Sequence, residues 1–156
     1  MLADRFIGRV LRESTTINCL QSDIHGVDHW YRVWQNAQIL ASATSNVDEE
    51  IVALFALFHD AMRDNDNDDP HHGLRGWNLW LSMKKHQLLT VKQTRMLFVA
   101  CTSHSLGHVT YEPTIGVCWD ADRLDLPRVG IRPHPSKMST DTGKGAASAM
   151  LTNGSV

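Results

Sequence analysis

The stretch Ile51-Val52-Ala53-Leu54-Phe55-Ala56-Leu57-Phe58-His59-Asp60 decides how this sequence folds. Ser45-Asn46 supplies a break and an N-cap before it, and Asp48, Glu49 and Glu50 suit the positive end of a helix that runs to about Arg63. The middle of that helix is apolar nearly all round, which demands a buried, central position. His59 and Asp60 arrive at its end. A buried helix therefore delivers an imidazole and a carboxylate to the interior, where a bare charge is costly unless paired. A divalent cation is the simplest partner for both.

Working outward, the periodicity is helical for most of the chain. Residues 2–13 form an amphipathic helix with Leu2, Phe6, Val10 and Leu11 on one stripe and Ile7 beside it. Residues 16–26 read as a loop or a short helical turn. From Val27, the residues Trp30, Val33, Trp34, Ala37, Leu40 and Ala41 share a broad face, with Gly26 placing His25 just outside the helix. A third strong helix spans 71–86, its inner face assigned to Leu74, Trp77, Leu81 and Trp80, with Lys84-Lys85-His86 in the last turn. Another starts near Val91 and ends at His104. Residues 105–113 are a loop, and 115–126 read as a helix, although Val117-Cys118-Trp119 alone would permit a strand. The fold class is all-α, about six helices, with one domain over 1–135. Residues 136–156, rich in Ser, Thr, Gly and Ala, are expected to form a low-complexity mobile tail.

Composition narrows the function classes. The chain has 156 residues, enough for a core without staples, and its net charge of −2 offers no attraction for nucleic acid or an anionic membrane. Cys19, Cys101 and Cys118 are odd in number and widely spaced, which fits reduced thiols and a cytoplasmic location. Charged residues interrupt the N-terminal helix, and no run reaches the ~18 apolar residues of a membrane span. Nine histidines are the compositional excess.

Read in order, the candidate ligands are His29, His59, Asp60 and an acidic residue of Trp119-Asp120-Ala121-Asp122-Arg123-Leu124-Asp125. Two imidazoles and two carboxylates suit Mn²⁺, Fe²⁺, Co²⁺, Ni²⁺, Zn²⁺ or Mg²⁺ without choosing among them. The texts His25-Gly-Val-Asp-His29-Trp-Tyr-Arg32-Val33, Ala56-Leu57-Phe58-His59-Asp60 and Asp120-Ala121-Asp122-Arg123-Leu124 together resemble the HD-domain superfamily of metal-dependent phosphohydrolases. The resemblance covers roughly residues 25–131. It implies a helical fold with the metal held between central helices. It selects His29 over His25, and Asp122 as the last ligand with Asp120 as rival. Pro70-His71-His72-Gly73 and Cys101-Thr102-Ser103-His104 resemble the extra histidine positions of multi-metal members, so His72 and His104 with Asp60 would admit a second ion, Asp60 bridging.

The expected activity is attack by a metal-activated water on a small phosphorylated substrate, with a nucleotide as the leading example. Asp60, His72 and His104 are the catalytic candidates, and Arg63, Arg75 and Arg32 those for binding phosphate. Two other readings stand beside it: an HD-like di-iron oxygenase, and a non-catalytic nucleotide-binding sensor. Asp64, Asp66 and Asp68 imitate the start of an EF-hand, but Asp69 and Arg75 occupy the positions that need Gly and Glu, so a solvated turn is expected there.

Overall fold

The apolar stretch forms α3 (Glu49–Phe58), and every residue from Ile51 to Phe58 is buried. In the computed structural model, which describes residues 1–14, 21–84 and 86–152, six further helices surround it. They are α1 (Leu2–Ser14), α2 (Val27–Ser42), α4 (His72–Ser82), α5 (Val91–Ser103), α6 (Pro113–Arg123) and α7 (Asp141–Thr152). No strand occurs among the described residues. Helix α3 touches α1, α2, α4, α5 and α6, so the end of α3 opens into the middle of the molecule. No helix of the described residues is long and apolar enough to cross a membrane.

Local chemistry accounts for most boundaries. The N-cap of α3 is Asp48, whose carboxylate accepts from the Ile51 N–H at 3.3 Å, and not Ser45-Asn46 as the sequence suggested. Asn46 instead takes the left-handed turn conformation before the cap, at φ 61°. Thr90 and Gln93 close a capping box at the start of α5. Helix α6 begins with Pro113 in its first turn, and Glu112 caps it by accepting from the Ile115 N–H at 2.7 Å. Residues 117–119 are helical within it.

Three expectations are corrected. Leu74 and Leu81 do not form the inner face of α4; both are exposed, and His72, Gly73, Gly76, Trp77 and Trp80 are buried instead. Two glycines on one face let α4 approach more closely than leucines would. A Cβ on Gly73 would strike the Cys101 carbonyl of α5, and one on Gly76 the Phe58 carbonyl of α3. Helix α4 also ends earlier than expected, with Lys84 at φ 52°; Lys85, like Cys19 and most of the ambiguous stretch before residue 21, lies outside the described residues. Finally, residues 141–152 form a helix rather than an irregular tail. Gly143 and Ala147 bury its inner side, and Thr140 ties its start to α6. Its small residues, which looked like low complexity, are what a close helix contact requires.

Candidate metal centre

Four elements and one turn converge at the end of α3. His29 comes from the first turn of α2, His59 and Asp60 follow α3, and His72 opens α4. His104 follows α5, and Asp122 lies in the last turn of α6. All but Asp122, whose side chain keeps 17% of its exposure, are almost wholly buried.

The side chains form two groups. His29, His59 and Asp122 offer ligand atoms within 4.8 Å of one another, and so do Asp60, His72 and His104. The groups share a border at Asp60. Its Oδ2 faces His29 Nε2 at 3.5 Å and His59 Nε2 at 3.8 Å, while its Oδ1 faces His72 Nε2 at 3.2 Å and His104 Nε2 at 3.5 Å. Asp122 Oδ1 lies 3.4 Å from His29 Nε2.

The outer ring nitrogens determine what the inner ones can do. His29 Nδ1 donates to Asp125 Oδ2 at 2.7 Å, and His59 Nδ1 to the Phe55 and Ala56 carbonyls at 3.1 and 3.2 Å. His104 Nδ1 donates to the Cys101 carbonyl at 2.7 Å, and His72 Nδ1 to the Asp69 carbonyl. Carbonyls and carboxylates only accept, so each Nδ1 carries a proton, and Nε2 is the nitrogen each ring offers to a cation once it is neutral. His29 Nε2 and His59 Nε2 stand 3.2 Å apart, and His72 Nε2 and His104 Nε2 2.9 Å apart, all four turned toward the centre. Buried Asp60 Oδ1 has no hydrogen-bond partner among the described residues. Lone pairs and carboxylates pointing inward, each imidazole oriented from behind, are the donor set a divalent cation needs.

The titration behaviour of the metal-free protein reflects the same crowding. Burial would lower His29, but hydrogen bonds with Asp122, Asp125 and Asp60 outweigh it and push it up to about 10. His59, fully enclosed, is pushed down to about 3, chiefly by burial. Burial would raise Asp60, yet the neighbouring His59, His104 and His29 rings hold it well below the usual carboxylate range.

Asp120, the rival of Asp122, faces elsewhere. Its carboxylate accepts from Ser139 N at 2.7 Å and from Thr140 N and Oγ1 at 2.8 Å each, at the entrance to α7. Two positions along a helix turn the side chain through about 200°, so Asp120 and Asp122 point to nearly opposite sides.

The arginines divide too. Arg63 lines the cavity over the centre, with Nη1 3.6 Å from Asp60 Oδ1. Arg32 does not; its Nε bonds Asp125 Oδ1 at 2.7 Å, behind His29. Nor does Arg75, which braces the 62–69 turn through Asp69 and the Met62 carbonyl. A nearby charge of the right sign held both away from the cavity.

That cavity, about 330 Å³, is lined by Asp60, Asp122 and His104 below and by His25, Arg63, Arg123, Arg128 and Lys137 around them. The family resemblance selects His29 over His25, and Gly26 places His25 just outside α2. Its ring is nonetheless fixed, Nδ1 lying 2.8 Å from Asp66 Oδ1, with the Ser22 hydroxyl bonding the same carboxylate oxygen. Asp66 belongs to the acidic loop, whose role here is to orient a histidine. Only spacing in three dimensions could have found this pair, since 41 residues separate its members.

A family model described as HD domain matches residues 26–125. The chain belongs to the HD domain family. The fold is also similar to a crystal structure of a predicted HD superfamily hydrolase from an uncultured Thermotogales bacterium. The TM-score is 0.71 at 22% identity, over 96% of this chain and 85% of that one. No curated protein matches the sequence.

Proposed function

We propose that this HD protein is a metal-dependent phosphohydrolase of small phosphorylated compounds, with nucleotides as the leading class. The observation that carries the reading is the division of Asp60. One carboxylate turns its two oxygens to two separate imidazole groups, the arrangement expected of a carboxylate shared by two cations. His29, His59 and Asp122 would hold one ion, His72 and His104 the other, and Asp60 both. Divalent cations at such a centre supply Lewis acidity to a phosphoryl oxygen and to water.

The chain itself supplies the rest. Arg63 holds its guanidinium at the cavity wall through the Asn65 and Asn67 carbonyls, at 3.1 and 2.9 Å, and beside Asp60 and His72, where it would meet a phosphoryl oxygen bound at the centre. His25 keeps Nδ1 on Asp66 and so has Nε2 for proton transfer. Burial lowers its pKa, so the ring is neutral at pH 7 and accepts the proton of the attacking water; Asp66 then stabilises the imidazolium until the leaving oxygen takes that proton. Buried, unpaired Cys101 and Cys118 suit a reducing compartment such as the cytoplasm.

The test is phosphate release across nucleotides and sugar phosphates with Mn²⁺, Co²⁺ and Mg²⁺ in turn. Asp60→Ala should abolish turnover and bound metal together, and His25→Gln should lower kcat roughly 10²-fold or more while metal content stays intact. Full activity in Asp60→Ala would overturn the site. Silence on every phosphate, with iron bound and oxygen consumed, would favour the oxygenase reading.

A further inference from the structure

Beyond Arg63, three cations line the same cavity: Arg123, Arg128 and Lys137. Arg123 is 7% exposed, and the Arg128 side chain 10%. Guanidiniums so enclosed ordinarily meet a carboxylate, because an unpaired buried charge is costly. These bond neutral oxygens instead. Arg123 donates to the Lys137 carbonyl at 2.6 Å and the His108 carbonyl at 2.5 Å. Arg128 donates to the Ile24 carbonyl at 2.8 Å and the Asp125 carbonyl at 3.1 Å. Carbonyls fix where a guanidinium points without cancelling its charge. The nearest carboxylate to Arg128, Asp125, stands off at 3.7 Å and already serves His29 and Arg32.

The cavity has only two carboxylates of its own, Asp60 and Asp122, and the proposed centre commits both to cations. Four basic residues then line the cavity, and Asp125, 3.7 Å from Arg128, is already shared with His29 and Arg32. A single phosphoryl group carries at most two negative charges, and Arg63 with the centre already satisfies those. The remaining three cations call for more anionic charge on the ligand.

We propose that the cavity recognises a phosphate chain of two or more linked phosphoryl groups, as in a nucleoside diphosphate, a nucleoside triphosphate or inorganic polyphosphate. The reacting phosphoryl group would sit by Arg63 and the centre, and the next on Arg123, Arg128 and Lys137. Both placements rest on the metal centre of the reading above, which takes up Asp60 and Asp122; the second anion subsite does not need the hydrolytic step.

The test is calorimetric binding to the Mg²⁺-saturated protein, comparing methylenediphosphonate with methylphosphonate, neither of which is hydrolysed. The bisphosphonate should bind about tenfold tighter or better, as one added charge-assisted contact of ordinary strength implies. Lys137 is exposed, so Lys137→Gln should fold and should narrow that ratio about fivefold or more. Lys144→Gln, at a surface lysine paired with Asp141, should leave the ratio alone. Equal affinity for the two phosphonates, or a ratio untouched by Lys137→Gln, overturns the subsite even where monoesters are hydrolysed. Preferred bisphosphonate binding together with no hydrolysis of any phosphorylated compound supports the subsite and overturns the hydrolase. To separate the sources, a nucleoside diphosphate and pyrophosphate are compared as substrates. Faster turnover of either than of the matching monophosphate supports the proposal, and the larger kcat/KM names which chain is used; slower turnover of both overturns it.

Discussion

Asp125 touches no candidate metal position, yet its carboxylate holds His29 through Nδ1 and is itself held by Arg32. Asp125→Asn keeps the shape but lets an amide nitrogen face the ring, which favours the wrong tautomer. Metal affinity should fall about 10- to 100-fold with the helical content unchanged, read by competition against a chromophoric chelator. The sign of the pH dependence follows from His29. Its pKa is raised to about 10 in the metal-free protein, so below that pH the ring carries a proton that an incoming cation must displace. Affinity should therefore rise with pH between 7 and 9, by about tenfold per unit for one proton released. Titration calorimetry in buffers of different ionisation enthalpy counts that proton directly. A flat profile would mean that His29 is not a ligand.

Helix α4 works because of two glycines. Gly76 lies against the Phe58 carbonyl and Gly73 against the Cys101 carbonyl, the latter being the acceptor that orients His104. A methyl group at either site has to move a backbone rather than a flexible side chain. Gly76→Ala should lower stability by about 2 kcal/mol, measured by urea unfolding. Gly73→Ala should cost a similar amount and additionally displace His104, so its second metal should be lost first in a metal-content assay. In the sequence Gly73 is read only as a residue beside a histidine, and Gly76 only as a residue of the same helix. Their partners, 28 and 18 positions away, are brought to them by packing, and the same packing turned Leu74 and Leu81 outward.

At the scale of the whole molecule, the centre joins α2, α3, α4, α6 and the turn after α5, so the proposed cations would act as a clasp on the fold. Removing them with a chelator leaves crowded imidazoles and an orphaned Asp60 oxygen in the interior. Metal held at 100 times its Kd contributes about 2.7 kcal/mol. The chelated protein should melt roughly 5–10 °C lower, restored by Mn²⁺, in a scanning calorimeter.

The helical class and the central place of 51–58 were legible in the chain itself, because each depends on local order. Hydrophobic period sets a helix, an apolar run sets burial, and ordered motifs offer the candidate donors. Tertiary structure alone decided the rest. It chose which of Asp120 and Asp122 faces the histidines, drew Arg32 and Arg75 to Asp125 and Asp69, and folded 141–152 against α6. It also gathered His25, Asp66, Arg128 and Lys137 around one cavity. The physical reason is common to all of these. A charged side chain goes to the nearest partner in space, and distance in space between residues so far apart in sequence exists only once the helices have packed.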